Sequence, residues 1–567
     1  MKITDIKFDQ EITYNSEKIK HFDEIKEIFP IPNGSIIYKT TCGIGATHSE
    51  ILAPRNSIIV MPHVSIVKNK HKSLEEDPQI DYNTFPVYGD ITIEEVHKYL
   101  VKDDKVKKLL TTPKGLNKII KAVNKTNRRF QDSFFLLVDE CHKLIKDANY
   151  RTDMVDMMDN FFAFNAKAMV SATPIPPSDA RFTDNNFRLI KVSPENLKRT
   201  PISLINTNNI FNGLKNYINH NSNDRYFIFF DSIKGITTAI TELKLSEEAK
   251  IFCSSESRKD LAGTAYTNVS DVYEAPDKYN FFTSSFFNGL DILVEGDIKP
   301  DIIMISDCAF QDHTLIDPFT DSTQIIGRIR DSIETCQETG KYTRIKNYRN
   351  IVHINNAYRW LTPLNEVELA KSISDSKASY EMLLGLENAF IGKGIYPFLL
   401  DALKETRPHF NLLNKKGNYS SYLYDNYINE NRVKQYYKGS DTLKSAYAST
   451  TLFSLFPGKM KFDKKDQIKS NGESFRNTKT NIQRVAQQLN DLEALKGCNQ
   501  YYYTREQIKS RNPMVFEAYE LLKYEGIKIC NFNRREIEKA LFDFKFEDGR
   551  DSYPIKTLVY RYYFYIN

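Results

Sequence analysis

Ser133-Phe134-Phe135-Leu136-Leu137-Val138-Asp139-Glu140-Cys141-His142 is the stretch on which the fold turns. The run from Ser133 to Val138, apolar apart from Ser133, reads as a strand buried on both faces, as in the middle of a parallel sheet. Asp139 and Glu140 follow where that strand should end, and His142 comes two positions later. In open α/β sheets the ligand crevice lies beyond the carboxyl ends of the strands. Two carboxylates delivered there suit a magnesium-nucleotide site, one for the metal shell and one to handle a water. Taken alone, the stretch is more simply a strand ending in a polar turn, and the order of the other segments decides between the readings.

Upstream, Gly34 to Lys39 reads as a short strand leading into Thr40-Thr41-Cys42-Gly43-Ile44-Gly45-Ala46-Thr47-His48. Strand, Gly-bearing turn and helix is the context of a phosphate-binding loop, whose familiar spacing is G-x-x-x-x-G-K-[ST]. Glycines let backbone amides approach phosphates. Thr40 stands at the first Gly position, Gly45 at the second, Thr47 supplies a hydroxyl for magnesium, and Ala46 occupies the Lys position. As a scale, an arginine finger is worth roughly 10³–10⁵ in rate, so losing a comparable charge costs about 4–7 kcal/mol of barrier. Lys39, seven residues upstream of Ala46, is a cation within reach but not at a recognised substitute spacing. Without a nucleotide, the same residues form a plain strand-to-helix turn.

Between and after these segments, Ser57 to His63, Phe85 to Asp90, Leu109 to Leu116 and Ala166 to Thr173 read as further strands and strand ends, separated by charged helical stretches. A second set runs through Arg225 to Ser232, Lys250 to Ser254, Phe281 to Ile292 and Asp301 to Ser306. It ends on Gln324-Ile325-Ile326-Gly327-Arg328-Ile329-Arg330, expected by position to open a helix, where two arginines two apart are ordinarily solvated surface residues. Repeated strand-helix alternation is the signature of parallel α/β layers.

Together these segments resemble the core of a superfamily 2 helicase of the DExH-box type, over roughly residues 30 to 335. The likeness rests on Asp139-Glu140-Cys141-His142, Ser171-Ala172-Thr173 about 30 residues on, and Gln324-x-x-Gly327-Arg328 in the second set. It implies two RecA-like parallel-sheet domains in tandem, 1–195 and 196–368, followed by a mainly helical, basic, Tyr-rich accessory region, 369–567. ATP and Mg²⁺ would lie between the two domains. By this resemblance Thr41, Cys42, Gly43, Ile44, Gly45, Ala46, Thr47, Gly289 and Asp291 contact nucleotide, and Thr47 and Asp139 hold the metal. Glu140 handles the attacking water, and Gln324, Arg328 and Arg330 reach across. The usual pattern puts its last Arg at 331, here Asp331, so Arg330 is the substitute. His142, Ser171 and Thr173 couple nucleotide state to movement. Pro62, His63, Thr112, Lys114 and Thr283 meet nucleic acid, mostly its backbone, with steep salt dependence.

Composition agrees with an ordinary globular protein of 567 residues, 41% hydrophobic and 27% charged, too long for one core. No apolar run approaches a membrane span, the first residues lack an apolar signal segment, and seven Cys without a C-x-x-C pair argue for reduced thiols in a cytoplasmic setting. From Lys371 onward, Lys and Arg number 32 against 23 Asp and Glu, a mildly basic rear that suits phosphate backbone. Ile482, Val485, Leu489 and Leu492 recur at helical spacing as core, and the tyrosines from Tyr419 to Tyr447 read as packing more readily than as base-stacking platforms. The expected activity is an ATP-dependent helicase or translocase on DNA rather than RNA, of phage or mobile-element type, working beside replication or recombination proteins. The alternative is a nucleic-acid-binding scaffold that keeps the fold without turnover, which Ala46 favours.

Overall fold

The apolar runs of the first 195 residues become strands of one eight-stranded sheet in which every pairing is parallel, ordered β1-β8-β2-β7-β6-β3-β5-β4. The strands are β1 (Gln10–Tyr14), β2 (Ser35–Lys39), β3 (Ser57–Val60), β4 (Thr84–Val87), β5 (Lys108–Thr111), β6 (Phe135–Asp139), β7 (Ala166–Ser171) and β8 (Arg188–Pro194). This computed structural model describes residues 6–75, 84–103, 105–126, 128–173, 175–262, 264, 266–287, 291–294, 298–308, 311–357, 363–386, 396–463, 478–496, 499–534, 536–537, 540, 545–547 and 552–554. All five residues of β2 and of β6 are buried, because helices cover both faces of the sheet. Strand β6 starts two residues later than its apolar run, since Phe130–Ser133 forms a helical turn. Strand β1, at the sheet edge, and β8 beside it were not legible: their residues alternate between buried and open rather than forming an apolar run. Pro86 sits in β4, at the sheet edge where a missing N–H breaks no ladder.

A second eight-stranded parallel sheet follows, ordered β12-β11-β13-β10-β14-β17-β9-β18. Its members are β9 (Thr200–Thr207), β10 (Tyr226–Phe229), β11 (Ala249–Phe252), β12 (Val269–Ser270), β13 (Tyr279–Phe282), β14 (Asp301–Ser306), β17 (Ile351–Asn355) and β18 (Phe453–Met460). A two-stranded antiparallel ribbon, β15 (Ser332–Thr335) with β16 (Tyr342–Ile345), projects between β14 and β17 in sequence. The architecture is thus two RecA-like layers in tandem, with helices dominating the remainder.

The segment from 369 onward is not one accessory region. The chain divides into compact units Met1–Gln467 and Ile468–Asn567. Strand β18 pairs with β9 over eight positions, Phe453↔Thr200 to Met460↔Thr207, and completes the second sheet. The preceding helices, Ser421–Tyr436 and Ser440–Ser449, bury Val433, Tyr437, Leu443 and Tyr447 in that sheet's core, while Tyr422 enters the core of the first. Packing, not base stacking, accounts for Tyr422, Tyr437 and Tyr447. In the second unit, helices Thr478–Leu492, Asn499–Arg511 and Pro513–Ile529 enclose Ile482, Val485 and Leu489 with Tyr519 and Ile527, as the helical spacing predicts. No described helix is long and apolar enough to cross a membrane, and no described cysteine is in a disulfide.

Candidate functional site

Parallel register aligns the carboxyl ends of β2, β7, β6, β3 and β5 along one edge, and most of the first layer's candidate residues leave from there. Gly43 and Gly45 have φ of +82° and +88°, a region closed to most side chains, so the loop after β2 needs glycine at both positions. Ala46 opens a seven-residue helix, Ala46–Leu52, and Ile44 anchors the loop by accepting from the Phe22 N–H at 2.9 Å. Thr41 lies 3.4 Å from the Tyr14 hydroxyl.

Thr47 donates its hydroxyl hydrogen to Asp139, whose other carboxylate oxygen accepts from the Glu140 N–H at 2.8 Å. That geometry puts Glu140 in the left-handed region, φ +50°, a conformation that costs a non-glycine residue about 1–3 kcal/mol. Strain of this kind, held by surrounding packing, collects where a side chain must be aimed. Cys141 is buried, and burial first, then the Glu140 and Asp139 charges, push its thiol far above the ordinary value.

The motif from Gln324 to Arg330 does not open a helix. It ends one, Asp321–Arg328, and neither Gln324 nor Arg328 is solvated, with 0% and 2% exposure. The cause is the first layer. Gln324 donates to Glu140 at 3.1 Å and to Thr173 at 3.4 Å, and an Arg328 guanidinium nitrogen lies 3.8 Å from Glu140. The same Arg328 donates to the Gln324 carbonyl at 3.0 Å and to its side-chain oxygen at 3.1 Å. Gly327 explains itself by contact: a Cβ there would sit 2.4 Å from Cys42 Cβ and 2.6 Å from its sulfur. Cys42 itself lies 3.7 Å from the Thr323 carbonyl. Arg330, beyond the helix, pairs with Asp291 at 2.5 Å, donates to the Gly327 carbonyl at 3.2 Å and lies against Gly43. Gly289 falls outside the described residues.

His142 closes a ring of polar contacts. Its Nδ1 lies 2.8 Å from Ser171 Oγ and 3.4 Å from Glu140, and Ser171 lies 3.4 Å from Thr173, which meets Gln324. Burial would raise the Glu140 carboxyl, but the His142 hydrogen bond and the charges of Lys39, His142 and Arg328 outweigh it and hold Glu140 well below the usual carboxylate range. At Asp291, burial is likewise outweighed by Arg330 and Arg328, leaving that carboxyl below its ordinary value.

These groups line one cleft of about 1060 Å³, with Lys39, Gly43, Gly45, Ala46, Thr47, Asp139 and Glu140 from the first layer and Asp291, Arg328 and Arg330 from the second. That is room enough for a nucleotide-sized ligand. Thr47 and Asp139 offer a hydroxyl and a carboxylate in contact, the hard oxygen donors that magnesium prefers. Lys70, on helix Val64–Glu75, shares the cleft and carried no sequence signal, since nothing in its spacing singles it out from other surface lysines.

The expected nucleic-acid residues divide. Lys114 is exposed at the start of helix Pro113–Asn124. Thr112 caps that helix, accepting from the Gly115 N–H at 3.4 Å, and Thr283 is buried beside the Phe252 carbonyl and Ser285. The Pro62 carbonyl accepts from Arg151, whose guanidinium also lies 3.4 Å from His63. Burial, then the Arg151 charge, lower His63 to about 3, so its ring is neutral. Lys146, four residues after His142, bridges the layers by an ion pair to Asp321 and a 3.0 Å bond to Thr320, a contact the sequence did not announce.

The profile of the DEAD/DEAH box helicase family matches residues 39–180 of this chain. Among curated proteins no sequence matches it. Among solved structures it is similar to S. cerevisiae Dbp5 bound to RNA and ADP BeF3, at 14% identity and TM-score 0.39, covering 60% of this chain and 83% of that one. It is also similar to Mycobacterium smegmatis helicase Lhr bound to ssDNA and AMP-PNP, at 14% identity and TM-score 0.36, over 66% and 52% of the two chains.

Proposed function

We propose that the protein is an ATP-driven helicase or translocase acting on a nucleic-acid strand, with DNA as the first substrate to test. The observation that supports this reading most is the polar chain from Thr47 through Asp139 and Glu140 to Gln324 and Arg328, which joins two sheet layers around one cleft. The family profile over 39–180 is in keeping with it.

In this reading the loop amides from Cys42 to Thr47 cradle the phosphates, and Thr47 and Asp139 hold Mg²⁺, which neutralises charge on the phosphate oxygens when bound. Glu140 stays ionised at neutral pH and accepts a hydrogen bond from the attacking water. Its depressed pKa makes it a weak base, adequate where the water adds to a loose, metaphosphate-like transition state and releases its proton late. Arg328 and Arg330 place positive charge beside the departing phosphoryl group. Hydrolysis then breaks the γ-phosphoryl bond to ADP and forms the water–phosphorus bond. Gln324, bonded to both Glu140 and Thr173, passes the loss of the γ-phosphate to the β6 and β7 ends. Lys114 and the neighbouring strand-end loops meet the strand, and replication or recombination proteins are the partner class for such a motor.

ATP hydrolysis measured with and without single-stranded DNA or RNA tests this. Stimulation by a strand is expected, with the rate in Glu140→Gln lowered about 10²–10⁴-fold. Because Ala46 removes the loop lysine, the second reading is a helicase-fold scaffold. Strand binding without hydrolysis in the wild type would select it.

A further inference from the structure

Six lysines are buried among the described residues: Lys39, Lys107, Lys108, Lys143, Lys167 and Lys250. Five have partners suited to an ammonium. Lys108 donates to the Glu50 and Ala53 carbonyls, both at 2.7 Å, and Lys167 to the Phe164 carbonyl at 2.7 Å. Lys250 donates to the Glu274 carbonyl at 2.8 Å, while Lys143 and Lys107 pair with Asp147 at 3.0 Å and Asp103 at 2.6 Å. Lys39 is 7% exposed, and among the described residues its ammonium makes no direct hydrogen bond or ion pair, its charge reaching Glu140 only at longer range. An ammonium carries three N–H donors, and here none is taken by a described oxygen, so an anion entering the cleft can accept them.

Its position says what would complete it. Lys39 ends β2, immediately before the glycine-bearing loop, and lines the cleft with Gly43, Gly45, Thr47, Asp139 and Glu140. Ala46, where the family pattern has its lysine, is 1% exposed, packs in the apolar core and brings no charge. We propose that Lys39 is the phosphate-binding lysine of this site, entering from the strand end before the loop and taking the β- and γ-phosphate contacts that Ala46 cannot make. This rests on the nucleotide reading above and narrows it to a residue. Lys70 lines the same cleft and is half-buried, so it serves as the comparison.

The test uses the full chain, equilibrium binding of ATP and AMP, and thermal melting without nucleotide. Lys39→Met is expected to weaken ATP binding by about 10- to 100-fold, the scale of a charged hydrogen bond. AMP binding should be unchanged and the melting temperature close to that of the wild type, which shows that the variant folds. Lys39→Arg should keep ATP binding within about threefold, and Lys70→Met should cost less than Lys39→Met. On the wild type, amine-reactive labelling read by mass spectrometry should find Lys39 protected by ATP and not by AMP, which keeps the question open to decision should Lys39→Met not fold. Unchanged ATP affinity in Lys39→Met, or equal loss of ATP and AMP, overturns the assignment and leaves the cleft a nucleotide site. No ATP binding by the wild type overturns the nucleotide reading, and Lys39 with it.

Discussion

The two sheet layers differ in how locally they are made. The first takes all eight strands from residues 10–194, and its core is aliphatic and phenylalanine-rich, with Tyr422 and the partly buried Leu423 joining it from beyond residue 369. The second takes its last strand, β18, from residues 453–460 and fills its core with Val433, Tyr437, Leu443, Tyr447 and Phe453. Its centre is polar: Ser306 Oγ lies 2.9 Å from both His353 Nε2 and Tyr437 Oη, and Tyr447 Oη lies 2.8 Å from His353 Nδ1 and from Ser322 Oγ. Ser322 belongs to helix Asp321–Arg328, so this network supports the helix that carries Gln324 and Arg328 to the cleft. Helix Ser421–Tyr436 ties the layers together, with Tyr422 bonded to Asp179 at 2.6 Å and Arg432 to Asp317 at 2.7 Å. The first layer thus draws all its strands from one stretch of sequence, while the second depends on distant sequence for its edge and for support of the helix that carries Gln324 and Arg328.

The largest expected effect separates the layers outright. A fragment of residues 1–195 should melt cooperatively, whereas 196–368 should show no cooperative transition and should aggregate through the bare β9 edge. Extending the second fragment to 467 should restore the transition, followed by circular dichroism on heating. Equal behaviour of the two short fragments would erase the contrast.

A smaller effect sharpens it within the second layer. Tyr447→Phe removes one hydroxyl and leaves Ser322 and His353 Nδ1 short of a partner, which should lower unfolding free energy by about 1–3 kcal/mol in urea titration. If Tyr447 matters only by volume, the variant will match the wild type.

The smallest is a pH effect. Burial lowers His353 from 6.5 to about 3. A folded value below the unfolded one means that the unfolded chain binds the proton first. Stability is therefore full above about pH 6.5 and declines as pH falls toward about 3. Between pH 6.5 and 5 this group should cost about 1–2 kcal/mol, measured by denaturant titration at each pH. His63, lowered to about 3 by burial and by Arg151, adds the same slope in the first layer. His353→Gln should remove only the second layer's share, and an unchanged slope would show that His353 is not the titrating group.

What the sequence determined by itself follows from local rules. Buried parallel strands are continuous apolar runs, and the turns after them carry Gly, Pro and paired carboxylates, so β2, β3, β5, β6, β7, β10, β11 and β14 and the residues at their ends could be read in order. The loop from Thr41 to Thr47, the Asp139–Glu140 pair and Gln324–Arg328 were legible because each is a short spacing within one turn or one helix. Strands β1, β8 and β18 were not, since they alternate or carry Pro457 and Gly458 and lack the apolar signal. Only the tertiary structure decided that Arg328 is buried against Glu140, that Lys39 faces the cleft, and that tyrosines beyond residue 420 complete two cores. Each of those is a contact between groups far apart in the chain, and side-chain burial and pairing at such separations are set by packing, to which composition and periodicity are blind.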